Sequence, residues 1–284
     1  MPPISAVLIT YNEEIDLPRA LASMAGVADE FVVVDSGSTD RTCEIAREAG
    51  ARVVQRAFEQ YDQQKNFAAS QAAHDWVLAL DADEALSPEL RASLLAWKQQ
   101  EPREIAYQVA TRSNYLGGWI KHSGWYPEYR IRFYRRDRAK WVGAIHESVR
   151  AEGPVGKLDG DLLHYTMATV TEHYGKMEGY TNRAAEDLYA RGRRRWRGGM
   201  WVAAPWTLLQ RFFLQLGFLD GYRGAVIAWT SARYVWMKYR KLGVLVHGGK
   251  LEQRAWPQAL DVGRTCSPPE KTTGCTTARE KKDA

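Results

Sequence analysis

Trp76-Val77-Leu78-Ala79-Leu80-Asp81-Ala82-Asp83-Glu84 is an apolar run that ends in two aspartates one residue apart. Five consecutive apolar residues followed by acids read as a central strand, buried on both faces, whose carboxyl end opens into the crevice where α/β sheets bind ligands. Ser87-Pro88 then supplies an N-cap and a first-turn proline for the following helix. Neither Asp81 nor Asp83 is needed as a cap, and both are expected to stay free in the loop. Carboxylate oxygens this close suit a hard divalent cation, which takes one or two carboxylates and completes its shell with water and phosphate. An acidic turn at a strand end looks the same in isolation, so the neighbouring motifs decide between the two readings.

Upstream of this strand the pattern alternates. Ile4–Thr10 reads as a strand, 12–24 as a helix, 31–34 as a wholly apolar strand, and 42–49 as a helix stopped by Gly50. Arg52–Gln55 is a short third strand, 62–73 a helix and 76–80 the fourth strand. The order β-α-β-α-β-α-β implies an α/β fold with a mostly parallel, doubly wound sheet. The turn after the first strand, Thr10-Tyr11-Asn12-Glu13-Glu14, has no glycine, which disfavours a dinucleotide-binding dehydrogenase. A phosphatase of the haloacid dehalogenase type also uses paired aspartates, but on its first strand rather than its fourth.

The strand ends thus present Tyr11, Asn12 and Glu13, then Asp35, then Asp81 and Asp83 along one crevice edge. Thr10-Tyr11-Asn12-Glu13-Glu14, Val34-Asp35-Ser36-Gly37-Ser38-Thr39-Asp40-Arg41-Thr42, Gln64-Lys65-Asn66 and Asp81-Ala82-Asp83-Glu84 together resemble the family 2 glycosyltransferases of GT-A fold, and most closely their lipopolysaccharide-core β-glucosyltransferase subgroup. The resemblance covers roughly the first 250 residues and implies a metal-dependent hexosyltransferase. On it, Tyr11 and Glu13 line the nucleotide pocket, Asp35 accepts a hydrogen bond from the base, and Lys65 faces the donor. Asp81 holds ribose or a metal-bound water, and Asp83 ligates the Mg²⁺ or Mn²⁺ that bridges the diphosphate. Taken as residues alone, Asp35 could equally close an Asx-turn and Lys65 could lie on a solvated helix face.

The acceptor half is expected at 101–168. Residues 105–111 are strand-like, and 129–134 alternate, with Arg130 and Arg132 on one face. Between them 116–126 is a loop rich in glycine, tryptophan and tyrosine, which suits stacking on sugar rings as well as ordinary packing. In Trp141-Val142-Gly143-Ala144-Ile145-His146-Glu147-Ser148 the resemblance makes Glu147 the general base on the acceptor hydroxyl. The chain reads His-Glu where Glu-Asp is more usual, so Glu128 is held as the alternative. His164, after Leu162-Leu163, is either a further metal ligand or a packed core histidine.

Three cysteines with no ligand spacing disfavour zinc and structural disulfides, and the opening strand leaves no room for a signal peptide, so a cytoplasmic protein is expected. The net charge of +5 is concentrated in 130–140 and 191–197, fitting phosphate-rich partners. Residues 169–252 read as a helical, aromatic and arginine-rich extension. Within it, 200–219 is close to the length of a membrane span but is interrupted by Pro205, Gln210, Arg211 and Gln215. It reads as one interfacial helix that puts the protein on the inner face of the cytoplasmic membrane, with anionic lipid as a partner beside the nucleotide-sugar donor and a glycan or glycolipid acceptor. Residues 253–284 are polar and expected to be disordered. The rival from another class is a nucleic-acid-binding scaffold that follows phosphates with its arginines; it has no use for Asp81 and Asp83 in a crevice. A transferase that binds donor without turnover is a third reading.

Overall fold

A computed structural model describes residues 1–143 and 147–251; the tail expected to be disordered lies outside them. The first half runs β1 (Ile4–Thr10), α1 (Leu17–Met24), β2 (Glu30–Asp35), α2 (Thr42–Glu48), β3 (Arg52–Gln55), α3 (Tyr61–Ser70), β4 (Trp76–Asp81), β5 (Glu84–Leu86) and α4 (Pro88–Trp97). The second half runs β6 (Ala106–Tyr115), β7 (Gly118–Trp119), β8 (Glu128–Arg135), β9 (Ala139–Val142), β10 (Ser148–Ala151) and β11 (Val155–Met167). The strands order as β3-β2-β1-β4-β8-β6-β11-β5, with β7 on β6 and a separate β9–β10 hairpin. Pairing is parallel from β3 to β4, antiparallel from β4 through β8 to β6, and parallel again between β6 and β11.

The alternation of β4 divides the core. Trp76, Leu78 and Leu80 face one layer with α1, α4 and Trp97, while Val77 and Ala79 face the other with Ala68 and Ala69 of α3 and with Trp141 of β9. In the first layer Trp97 packs edge-on to Trp76 and Phe133, at 4.6 and 4.5 Å between ring centroids. Ser87 caps α4 as its sequence implies, its hydroxyl accepting from the Leu90 amide at 3.2 Å.

Two expectations about elements are corrected. The first helix begins at Leu17 rather than Asn12, because Asn12 is left-handed (φ 55°) and its loop is tied to the turn after β2. The Asn12 amide donates to Ser38 Oγ at 2.9 Å, the Glu13 amide to Thr42 Oγ1 at 2.7 Å, and the Thr39 amide to Asn12 Oδ1 at 2.8 Å. Beyond β11 come α5 (Val170–Ala190), α6 (Trp196–Gly198), α7 (Ala204–Leu209) and α8 (Tyr222–Val246). The expected single helix over 200–219 is instead α7 flanked by π-helical turns at Gly199–Ala203 and Gln210–Leu214, a left-handed Leu216 (φ 54°) and a 3₁₀ turn at Gly217–Asp220. The chain turns there because Gly217 packs against the Arg211 carbonyl and Gly224 against the Gly217 carbonyl, where a Cβ at either position would collide.

Candidate active site

The carboxyl ends of β1, β2 and β4 meet at one edge of the sheet. Asp35, fully buried at the end of β2, is met by five donors: Thr10 Oγ1 at 2.9 Å, the Gly37 and Ser38 amides at 2.9 Å each, Gln55 Nε2 at 3.0 Å, and the Ser38 hydroxyl. Burial alone would raise its pKa, but these donors hold it below the ordinary carboxylate range. Its acceptor capacity is therefore used in closing the turn, and a base N–H reaching it must take the place of one of these donors. Tyr11 and Glu13 stand half-buried in the loop braced by that turn.

Asp81 and Asp83 are not free in the loop. Lys65 Nζ lies 2.8 Å from Asp81 Oδ1 and Arg132 Nη2 3.0 Å from Asp81 Oδ2, so each carboxylate oxygen faces a cation. Burial opposes ionisation of Asp81, yet Lys65 and Arg132 together hold it well below the usual carboxylate range. Asp83 Oδ2 sits 3.2 Å from His164 Nε2, and its carbonyl accepts from the Tyr165 amide at 2.9 Å. Burial works against protonation of His164, but the carboxylate of Asp83, followed by those of Glu84 and Asp81, raises its pKa above the ordinary imidazole value.

Lys65 is 6 % exposed and reaches Glu147 Oε1 at 3.1 Å as well as Asp81, so one ammonium joins the end of β4 to the segment before β10. Its neighbour Asn66 pairs with both backbone groups of Trp141, at 2.8 and 2.9 Å, and the Lys65 ammonium lies over the Trp141 ring at 4.4 Å. Gln64, buried one position earlier, donates to Ser36 Oγ and the Arg56 carbonyl. The three residues Gln64-Lys65-Asn66 thus tie α3 to the loops after β2 and β3, to the end of β4, to β9 and to the segment before β10. Residues 144–146 lie outside those described. Glu128 stands exposed at the start of β8, paired with Arg130 at 2.8 Å.

Arg132 and Glu84 are members of this network that the sequence reading left out. Phe133 pairs with Tyr107 and Ile131 with Gln108, so Arg132 is the extra residue of a β-bulge. The bulge separates it from Arg130, with which simple alternation groups it: Arg130 is exposed and Arg132 is 2 % exposed. Its Nη2 reaches Glu84 Oε1 at 2.5 Å, and Glu84 in turn accepts from the Asp81 amide at 3.0 Å. Burial pushes the Glu84 carboxyl pKa up against the pull of Arg132. Arg132 Nε is buried without a hydrogen-bond partner, and the guanidinium lies over Trp141 at 5.4 Å. The arginines of 130–140 are thereby split between core and surface: Arg132 is buried and Arg135 pairs with Asp137 at 2.8 Å, whereas Arg130, Arg136 and Arg138 are exposed.

Arg132→Met would leave Glu84 buried without its countercharge, a loss of about 3–5 kcal/mol. Urea unfolding should show a lower midpoint at an unchanged slope, and Arg132→Met with Glu84→Leu should recover most of the loss. A single variant within about 1 kcal/mol of the parent contradicts this assignment.

Among the described residues no three histidine, cysteine or acidic side chains form a ready-made metal site. Asp83 and His164 offer one carboxylate and one imidazole side by side, a donor set that fits Mg²⁺ or Mn²⁺ completed by phosphate and water. Each oxygen of Asp81, expected as a further ligand, faces a cation instead, Lys65 on one and Arg132 on the other.

Residues 5–150 match the model of glycosyl transferase family 2. Over 259 residues, 86 % of this chain and 89 % of the relative, it is 32 % identical to an uncharacterized glycosyltransferase of Rickettsia typhi. Over 252 residues, 84 % and 93 % respectively, it is 30 % identical to the lipopolysaccharide core biosynthesis glycosyltransferase LpsC of Rhizobium meliloti. The solved structure of S. aureus TarS in complex with UDP aligns at a TM-score of 0.44 and 16 % identity, over 88 % of this chain and 93 % of that one.

Proposed function

The chain belongs to glycosyltransferase family 2 and has the GT-A fold, and from that premise we propose that it is an inverting hexosyltransferase. It moves a sugar from a nucleotide-sugar donor of the UDP-glucose type to a hydroxyl of a cell-envelope or lipid-linked glycan such as lipopolysaccharide core. The observation that carries this reading is Lys65, which joins Asp81 and Glu147 through one buried ammonium and so brings a donor-side acid next to an acceptor-side acid. The likeness to LpsC along most of both chains supports the acceptor class.

In this reading Tyr11, Glu13 and Asp35 shape the nucleotide pocket, and Asp81, held rigid by its two cations, orients the ribose. Asp83 and His164 would hold a divalent cation, which when bound would offset negative charge on the diphosphate. The acceptor oxygen attacks the anomeric carbon as the bond to the diphosphate breaks. Its proton passes to the Glu147 carboxylate, and nucleoside diphosphate leaves. Lys65 and Arg132 keep the acids around the reacting centre fixed, so little reorganisation accompanies the step.

The C-terminal helices bear the membrane role. No helix among the described residues is long and apolar enough to cross a membrane. Trp201, Trp206, Phe213 and Phe218 are all exposed, Trp201 at 69 %, whereas Phe212 is partly covered and packs on Phe213. Val202 and Leu209 are exposed with them, so large apolar side chains stand in solvent along α7 and both flanking turns. Exposed Arg193, Arg194, Arg195 and Arg197 precede them, which supports a peripheral site on an anionic cytoplasmic leaflet.

The activity is tested with a nucleotide-sugar panel, deep-rough lipopolysaccharide as acceptor, and Mg²⁺ or Mn²⁺. One donor should release nucleoside diphosphate in an acceptor-dependent way. Release from none of the panel contradicts the proposal.

A further inference from the structure

The loop 116–126 is built against the C-terminal helices. Asp220, whose side chain is 4 % exposed, accepts from the Lys121 and His122 amides at 3.1 Å each and from Ser123 Oγ at 2.9 Å, and it faces His122 Nδ1 at 3.1 Å. The Ser123 amide donates to the Gln215 carbonyl at 2.8 Å, and Arg211 Nη1 donates to the Ser123 carbonyl at 2.8 Å. Every polar group of Ser123 is thus taken by the segment 211–220. Ser123 is also left-handed (φ 60°), a conformation that a serine keeps only where its surroundings over-determine it. At the other end of the loop, Arg223 Nε donates to the Leu116 carbonyl at 3.1 Å, and its guanidinium lies where a Cβ on Gly118 would stand.

The same loop reaches the candidate active site. The Trp119 ring packs edge-on to Tyr165 at 5.3 Å, and Tyr165 is both the neighbour of His164 and the donor to the Asp83 carbonyl at 2.9 Å. The segment that grips the loop is also the one whose Phe213, Leu214, Phe218 and Leu219 side chains are exposed. A continuous path therefore runs from the exposed apolar face through Asp220 and the loop to Asp83.

We propose that Asp220 is the positioning residue of the acceptor loop, fastening it to the lipid-facing segment so that contact with an anionic membrane surface steadies Trp119 beside the Asp83–His164 pair. This rests on the reading of 116–126 as acceptor-side and of 199–222 as lipid-facing. A carboxylate is required because several donors converge on its two oxygens; an amide offers one oxygen and adds two N–H groups that meet other donors.

The test is hydrogen exchange of Asp220→Asn against the parent, alone and with vesicles of equal parts phosphatidylglycerol and phosphatidylcholine. Without vesicles, the amides of 121–123 should exchange about tenfold faster or more in the variant, with those of β4 unchanged. With vesicles, the parent should gain protection in 199–222 and in 117–126, and the variant in 199–222 alone. Equal exchange of 121–123 in both proteins, or equal protection of the loop by vesicles in both, overturns the proposal.

If vesicles protect neither segment of the parent, the lipid part of the proposal is overturned, while the vesicle-free comparison still decides the clamp. Should Asp220→Asn lose protection in β4 as well, Ser123→Ala, which removes one donor, must accelerate the same three amides for the clamp to stand. In transfer from UDP-glucose to deep-rough lipopolysaccharide, KM for the acceptor should rise about tenfold with KM for the donor unchanged. A fall in kcat with both KM values unchanged reads as general destabilisation and overturns the positioning role.

Discussion

Asp83→Ala is expected to abolish turnover and to leave the fold intact. The helix that follows is capped by Ser87, so Asp83 caps nothing. Its side chain faces His164 in a pair of which each member is between a quarter and a third exposed, so the stability lost should stay within about 1 kcal/mol. On the proposed reading the catalytic loss should be far larger, because Asp83 and His164 would hold the cation that the donor's diphosphate needs. Released nucleoside diphosphate, followed with and without EDTA, measures the first effect, and the urea midpoint measures the second. Full activity in EDTA, or in the variant, would remove the metal role from Asp83.

Glu147→Gln should keep donor affinity and lose roughly 10²- to 10⁴-fold in rate, the usual contribution of a general base. Gln retains the shape and a carbonyl oxygen that can still accept from Lys65, so the Asp81 end of the network should stay in place. Glu128→Gln is the internal comparison. Glu128 is exposed and paired with Arg130 two residues along, and its loss should change the rate by less than about twofold. Donor binding by titration calorimetry and single-turnover rates separate the two terms. A near-normal rate in Glu147→Gln with a large loss in Glu128→Gln transfers the role to Glu128.

The donor half was legible because its strands are parallel and covered on both faces, so that they appear as apolar runs between helical periods. Arg52–Gln55 and the Ser87 cap needed nothing beyond local chemistry. The four motifs placed the strand-end acids correctly but not what holds them. Arg132 meets Asp81 from 51 residues away and Glu84 from 48, and no spacing rule links them. The bulge that turns Arg132 inward exists only as a register shift between β6 and β8, whereas alternation alone groups it with Arg130. β5 is equally hidden, because Glu84–Leu86 is a strand only by virtue of pairing with β11, whose partner residues lie near position 163. In the C-terminal helices the composition carried the exposed aromatic character of the segment. The break at Leu216 depends on two glycines packing against carbonyls, which helical periodicity does not report.

A direct displacement at the anomeric carbon, with Glu147 taking the proton, inverts the configuration of the transferred sugar. Proton NMR of the product made from UDP-glucose, whose H2 is axial, reads this through the anomeric coupling constant. The expected product is β-linked. An α-linked product would mean net retention, which a single displacement from the face opposite the diphosphate cannot give, and would contradict the role of Glu147 as its general base.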